Sequence, residues 1–294
     1  MHIDNDLSPQ LESLYLPLAA WLRARRGDQR RTQVIGVCGG QGSGKSTLCR
    51  LLGVVLERAF HEPAVTLSID DIYETRERRA ELAAQLHPLF ATRGVPGTHD
   101  VALGLSTIEQ LASCHGRQAV ALPTFDKSMD TRLAPEKWPC HRGPVSSLLF
   151  EGWCVGAVPQ DEAALIEPIN ALEREEDPDC VWRRAVNARL GADYQQLFAH
   201  IDVLILLRVD GMHRVFQWRR LQEHKLALAA ASKPGGPDTR IMTDQQVDRF
   251  IMHYERLTRH ILSEMPHRAD IVFDLDGSHS AARVHINNPV DGAL

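Results

Sequence analysis

The sequence predicts an α/β fold with a mostly parallel central sheet and helices on both faces, and three observations carry that prediction. Short continuous apolar runs recur at residues 34–38, 65–69, 119–122, 148–150, 203–207 and 271–273, the pattern of strands buried on both faces. Helix-period stretches such as 107–113 and 245–264 separate most of them, and strands alternating with helices build a parallel sheet. The first run passes straight into a glycine-rich turn and then into an amphipathic helix, which is the order of a phosphate-binding βα unit.

Taken in order, residues 1–30 form a helical extension, with Leu11, Leu14, Leu18 and Leu22 at helical spacing and Pro17 breaking or starting a helix. After the strand at 34–38, Leu48, Leu51, Leu52, Val55 and Leu56 fall at i, i+3, i+4, i+7 and i+8, one helix face. The strand at 65–69 ends in acid. The last long helix starts at Thr243 and Gln246, spaced for a capping box, and carries Val247, Ile251, Tyr254, Leu257 and Ile261 as its stripe. Two stretches read as loops: 123–146, rich in proline, and 230–240, which contains Lys233, Pro234, Gly235, Gly236 and Pro237. Both are excursions from one domain, 31–294. The acidic run Glu173 to Asp177 reads as a solvated helix face, and the tail with His279 and His285 as surface.

Composition narrows the function. The 294 residues are 44% hydrophobic and 24% charged, with a net charge of -5. Without a basic excess there is no footprint for nucleic acid. The clusters Arg23, Arg25, Arg26 and Arg219, Arg220 are short. No apolar run reaches the ~20 residues of a membrane span, and the polar, acidic start is no signal peptide. Cys38, Cys49, Cys114, Cys140, Cys154 and Cys180 are scattered without a C-x-x-C pair, so neither zinc nor a disulfide framework is expected, and a reduced cytoplasmic compartment is.

Residues Gly39, Gly40, Gln41, Gly42, Ser43, Gly44, Lys45 and Ser46 match G-x-x-x-x-G-K-[ST] in full, followed by Thr47. Glycines let successive backbone N–H groups close around a phosphate, and the helix N-terminus adds its positive end. Lys45 supplies a charge to the β/γ-phosphates and Ser46 a hydroxyl to Mg²⁺. A P-loop NTPase fold using ATP and Mg²⁺ is therefore predicted.

Acids at strand ends bear on the reaction itself. Asp70 and Asp71 sit just past the second strand, where a carboxylate can take the proton of an attacking hydroxyl. The alternative for Asp71 is a helix N-cap; as a functional acid it stands with the metal. Glu151, after the strand at 148–150, holds the Walker B position for Mg²⁺ or its waters, and Gly152 permits close approach to the nucleotide.

In this order, the P-loop, Ser68-Ile69-Asp70-Asp71-Ile72-Tyr73, Phe150-Glu151-Gly152-Trp153 and a late Arg219-Arg220 helix resemble the uridine kinase, phosphoribulokinase and pantothenate kinase group. Within it the chain is most similar to the D-glycerate 3-kinase family, on Arg93 to Asp100, Leu122 to Ser128 and Phe216 to Gln222. The resemblance spans roughly 33–275. It implies transfer of the γ-phosphate of ATP to D-glycerate, giving 3-phosphoglycerate. It places the base on Asp70, the acceptor loops at about 87–142 and a helical lid over the phosphates at about 208–240, with Arg219 or Arg220 as its catalytic cation beside Lys45.

A small anionic acceptor needs a cation for its carboxylate. Lys127, Arg132 and Arg93 are available, with His99 and Asp126 as polar candidates; Asp100 reads as a helix cap. The segment Met129-Asp130-Thr131-Arg132 is shorter than in plant members, which leaves the acceptor's identity open. Pantothenate or a nucleoside is the alternative acceptor, and an ATP-binding regulatory protein without acceptor is the alternative class. Oligomeric state is not readable.

Overall fold

Residues 8–29, 31–231 and 242–288 are described by a computed structural model. Its centre is a six-stranded sheet that takes in five of the six apolar runs and adds a strand, 281–286, from the tail that reads as surface. In chain order its strands are β1 (Gln33–Gly39), β2 (Ala64–Ser68), β7 (Ser147–Gly152), β8 (Val203–Arg208), β9 (Ile271–Leu275) and β10 (Ala281–Ile286). In space the order is β10-β9-β8-β1-β7-β2. All neighbours pair in parallel except the edge strand β10, which runs antiparallel to β9. Because β1 sits between β7 and β8, the chain reverses its direction of travel across the sheet there. Crevices for ligands open at such points, outside the strand C-termini.

One expected strand lies elsewhere. Residues 119–121 form β3 (Ala119–Ala121), which pairs with β6 (Cys140–Arg142) in a small antiparallel ribbon outside the main sheet. Only Val120 of β3 is buried, so the run alternates like a half-exposed strand and not like a doubly covered one. Between them β4 (Phe125–Asp126) and β5 (Thr131–Arg132) form a second, shorter hairpin.

Both faces of the sheet are covered. On one, α1 (Leu16–Arg26) and α2 (Lys45–Phe60) pack Leu18, Trp21, Leu22, Leu48, Leu52 and Leu56 against Ile35, Val37 and Phe273. Trp21 and Leu22 are fully buried, so the N-terminal helix shares this core with β1. Pro17 neither breaks nor starts a helix: helical backbone already runs from Ser8, through a π-helical stretch at Leu11–Tyr15, into Leu16–Arg26. On the other face α4 (Val101–Ala112) and α9 (Asp244–Glu264) pack Val101, Ile108, Tyr254 and Ile261 against Leu148, Phe150 and Leu206. The capping box of α9 forms as the spacing predicts: Thr243 accepts from the N–H of Gln246, and the Gln246 side chain accepts from the N–H of Thr243.

The acidic run corrects its solvated reading. In α5 (Ala171–Glu176) Glu173 is fully buried, as is Asp177 beyond it. Glu173 pairs with Arg256 at 2.7 Å, and Arg183 of α6 (Val181–Gly191) lies 3.7 Å from it; Arg183 is also 3.6 Å from Asp177. Arginines from other helices make burial of these acids tolerable, and periodicity carries no sign of that. His285 likewise is not bare surface, since its Nε2 meets Asp274 at 2.9 Å. Among the described residues no helix is long and apolar enough to cross a membrane.

Candidate active site

The strand β1 ends at Gly39 and the chain turns through Gly42 at φ 80° and Gly44 at φ 90° before α2 begins at Lys45. Both angles lie where only glycine is unstrained. A Cβ on Gly42 would also fall 2.8 Å from Cβ of Trp218. Trp218 belongs to α8 (Met212–Ala231), so the helix expected as a lid rests directly on the phosphate loop. The ring of His279, on the β9–β10 hairpin, stacks on Trp218 at 4.0 Å.

Inside the loop, Lys45 Nζ donates to the carbonyls of Gly39 at 2.8 Å and Gly40 at 3.0 Å. Ser43 Oγ and Gln41 Oε1 are buried without a partner among the described residues. Buried polar groups are rarely left so, and a phosphate oxygen at the loop would satisfy the Ser43 hydroxyl. Ser46 Oγ donates to Glu151 Oε1 at 2.8 Å. The parallel register sets Glu151 opposite Val37 of β1 and Ser68 of β2. A hydroxyl and a carboxylate so joined are hard oxygen donors suited to Mg²⁺, which keeps several waters and needs few protein ligands. Gly152 has another purpose than the expected approach of nucleotide: a Cβ there would meet Ile69 Cγ2 at 2.3 Å. The glycine lets the acid-bearing turn sit tight against β7.

That turn, Ile69–Ile72, is capped by Ser68, whose hydroxyl accepts from the N–H of Asp70. Asp70 meets Lys127 Nζ at 2.7 Å, with 31% of its side chain exposed. Burial pushes its pKa up, but Lys127 and Lys45 outweigh that and hold it below the ordinary carboxylate value. Asp71 does not cap a helix. It accepts the N–H of Phe125 at 3.2 Å, and burial together with the like charges of Asp70 and Glu151 raises it to about 6.

On the side expected to take the acceptor, the 92–100 loop is laid along the acid turn. His99 bridges Tyr73 through the backbone, and their rings stack at 4.4 Å. Gly94, at φ 144°, is forced by Tyr254, whose hydroxyl would be 2.1 Å from a Cβ. Trp153 Nε1 donates to the Gly94 carbonyl at 3.0 Å, so Trp153 is an anchor for this loop. His99 is itself buried, and its Nδ1 lies 2.6 Å from the hydroxyl of Tyr194, in α7 (Asp193–Phe198). Burial lowers its pKa to about 3, so the ring is neutral. It stands as a wall behind Asp70, covered from solvent in this state.

Arg132 donates to Asp100 at 3.0 Å, and Asp100 also caps α4 through the N–H of Leu103. Arg93 and Arg79 converge on Asp130. Asp126, expected among the acceptor ligands, instead spends one carboxylate oxygen on the turn, accepting from Ser128 N and Oγ and from Met129 N. Arg79, Asp130, Tyr73, Phe125 and Tyr194 are the members that sequence reasoning missed. Arg79 lies in a strongly charged helix, α3 (Arg76–Gln85), yet is fully buried; only its distant partner Asp130 makes that possible.

The lid arginines part company. Arg219 is mostly buried, pairs with Glu223 at 2.6 Å and lies 5.7 Å above the Phe250 ring. Arg220 is 41% exposed and is held by Asp248 of α9. Both are engaged within the lid and α9 in this state. Residues 232–240 of the expected lid lie outside the described residues.

No family model matches the chain. It is 32% identical over 252 residues to an uncharacterised kinase of Schizosaccharomyces pombe, covering 83% of this chain and 86% of that protein. It is 28% identical over 263 residues to the chloroplastic D-glycerate 3-kinase of Arabidopsis thaliana, covering 83% of this chain and 53% of that longer protein. A D-glycerate 3-kinase structure from Cryptococcus neoformans var. grubii superposes with a TM-score of 0.75 over 96% of this chain and all of that one, at 24% identity.

Proposed function

Because the chain belongs to the D-glycerate 3-kinase family of P-loop kinases, we propose that it transfers the γ-phosphate of ATP to D-glycerate, giving 3-phosphoglycerate and ADP. As a P-loop kinase it is a phosphotransferase acting on a small molecule. The observation that carries the choice of acceptor is a set of cations outside the phosphate cradle, Lys127 paired with Asp70, Arg132 with Asp100, and Arg93 and Arg79 with Asp130. A nucleoside pocket calls for stacking surfaces open to a base, whereas Tyr73 and His99 are buried and spend their faces on each other.

In this reading the glycine loop and Lys45 bind the β- and γ-phosphates, and Ser46, Glu151 and Asp71 hold the metal or its waters. When bound, Mg²⁺ neutralises phosphate charge and fixes the γ-group in line. Asp70 takes the proton of the glycerate hydroxyl as its oxygen bonds to the γ-phosphorus and the bond to the ADP oxygen breaks. Its low pKa keeps it ionised at neutral pH. Lys127 leaves Asp70 for the acceptor's oxygens, freeing the carboxylate to accept. Arg219, the inward one of the pair, turns toward the charge that develops on the transferring group, with Arg220 as its alternate. The setting is cytoplasmic and reducing, consistent with six cysteines that are all free.

Phosphorus NMR of the product formed from D-glycerate and Mg-ATP tests this reading. A 3-phosphoglycerate signal is expected. A 2-phospho product, or turnover only with pantothenate or a nucleoside, refutes it.

A further inference from the structure

Three sets of opposite charges surround the acceptor crevice, and they are not alike. Lys127 faces Asp70 one to one, and Arg132 faces Asp100 one to one. Beside the latter, Glu74 adds further acid, its pKa raised by burial and by Asp100. The third set is two to one: Arg79 and Arg93 both bind Asp130. Arg79 is fully buried and gives Asp130 three bonds, two to the carboxylate and one to the backbone carbonyl. Two guanidinium groups against one carboxylate leave a positive charge unmatched, and with Asp130 39% exposed that surplus is open to a further anion or to water.

Arg93 is where that surplus is accessible. Only its Nη1 is engaged, on Asp130, and its side chain is 25% exposed. Among the described residues Nε and Nη2 have no hydrogen-bond partner. These two nitrogens form the side edge of the guanidinium, the edge that grips a carboxylate with two parallel bonds. The plane is held from below, since Arg93 and Arg79 lie 5.5 Å and 5.9 Å from the centre of the Phe125 ring. Phe125 is tied in turn to the acid turn, by its N–H to Asp71 and by its edge contact with Tyr73 at 5.4 Å. Asp130 is fixed at a left-handed φ of 55°, at the end of the turn that Asp126 organises.

We propose that Arg93 reads the carboxylate of the acceptor, with Arg79 and Asp130 as positioning residues that hold its free edge toward the crevice. The inference rests on the proposed glycerate kinase activity and sharpens it: the enzyme selects hydroxy acids by this edge, and Lys127 and Arg132 serve the hydroxyl end. Arg79 is too deeply buried for a clean test, so Arg93 is the residue to change.

The experiment compares wild type, Arg93→Gln and Arg93→Lys on D-glycerate, on D-glyceramide and on a panel of other hydroxy acids at saturating Mg-ATP, with thermal melts as a folding control. Wild type is expected to prefer glycerate strongly over the amide. Arg93→Gln raises KM for glycerate about 10- to 150-fold, the usual worth of a hydrogen bond to a charged group, leaves KM for ATP unchanged, and loses most of the preference. Arg93→Lys recovers part of it. If Arg93→Gln still discriminates acid from amide as wild type does, the clamp is refuted while glycerate kinase activity stands. If wild type uses a different hydroxy acid and the variant loses that preference, the glycerate assignment fails and the clamp stands.

Discussion

The two sides of the crevice are built on different principles. The phosphate side is local: Lys45 bonds carbonyls only six and five residues back, and the loop's shape rests on Gly42 and Gly44. The proposed acceptor side is assembled at long range. Asp70 and Lys127 are 57 residues apart, Arg79 and Asp130 are 51 apart, and Arg132 and Asp100 are 32 apart. Backbone can bind the part common to all nucleoside triphosphates, so one short motif suffices. A particular acceptor needs side chains from several segments, and these can be exchanged without disturbing the motif. In the proposed reading, chemistry is set on one side and selectivity on the other.

That division is broken most severely at Lys45. Lys45→Ala is expected to lower kcat by about 10³-fold or more, as for loss of a cation aimed at transition-state charge, with a melting temperature close to wild type. Near-normal turnover would mean that the loop is not the working site. Asp70→Asn keeps the shape of the side chain and removes the proton acceptor, so kcat should fall about 10²–10³-fold with little change in ATP affinity. Asp71→Asn should cost less than Asp70→Asn. The reverse order in steady-state kinetics would exchange their roles.

The lid offers a subtler test. Arg219→Ala should lower kcat several-fold more than Arg220→Ala, because Arg219 is mostly buried while Arg220 is 41% exposed and tied to Asp248. Equal effects would contradict the assignment of the inward residue.

The smallest effect is on stability. Asp71 has a folded pKa of about 6 against an ordinary 3.8, so the folded state holds its proton more tightly than the unfolded one. Its ionisation therefore erodes stability as pH rises from about 4 through about 6, by at most about 3 kcal/mol. Asp71→Asn retains an oxygen for the Phe125 N–H and should raise the melting temperature at pH 8 but not at pH 4. A gain that is the same at both pH values would remove the charge explanation.

The same division decides what could be read from the sequence. The β1–loop–α2 unit, Ser46 with Glu151, and the capping box at Thr243 depend on neighbours or on strand order, and all follow from pattern. Gly152 could be recognised as a place of close approach, but not that Ile69 is what approaches. The buried acids Glu173 and Asp177 read as solvent-facing because their partners Arg183 and Arg256 lie elsewhere in the chain, and nothing local marks Arg79 as buried. Asp126 and Asp130 stand four residues apart in one short turn, and nothing in their type tells which shapes the turn and which faces the arginines. Residues 119–121 have the composition of an inner strand, yet they pair in a side ribbon, since strand order is settled by tertiary packing.

The central claim is that a phosphate loop shared by many kinases serves, in this chain, a crevice built for D-glycerate. ADP release from Mg-ATP, measured with and without D-glycerate for wild type beside Lys45→Ala, tests it most directly. The account predicts strong stimulation by D-glycerate in wild type and none in the variant. A flat basal ATPase, indifferent to D-glycerate and to the other hydroxy acids, would contradict it.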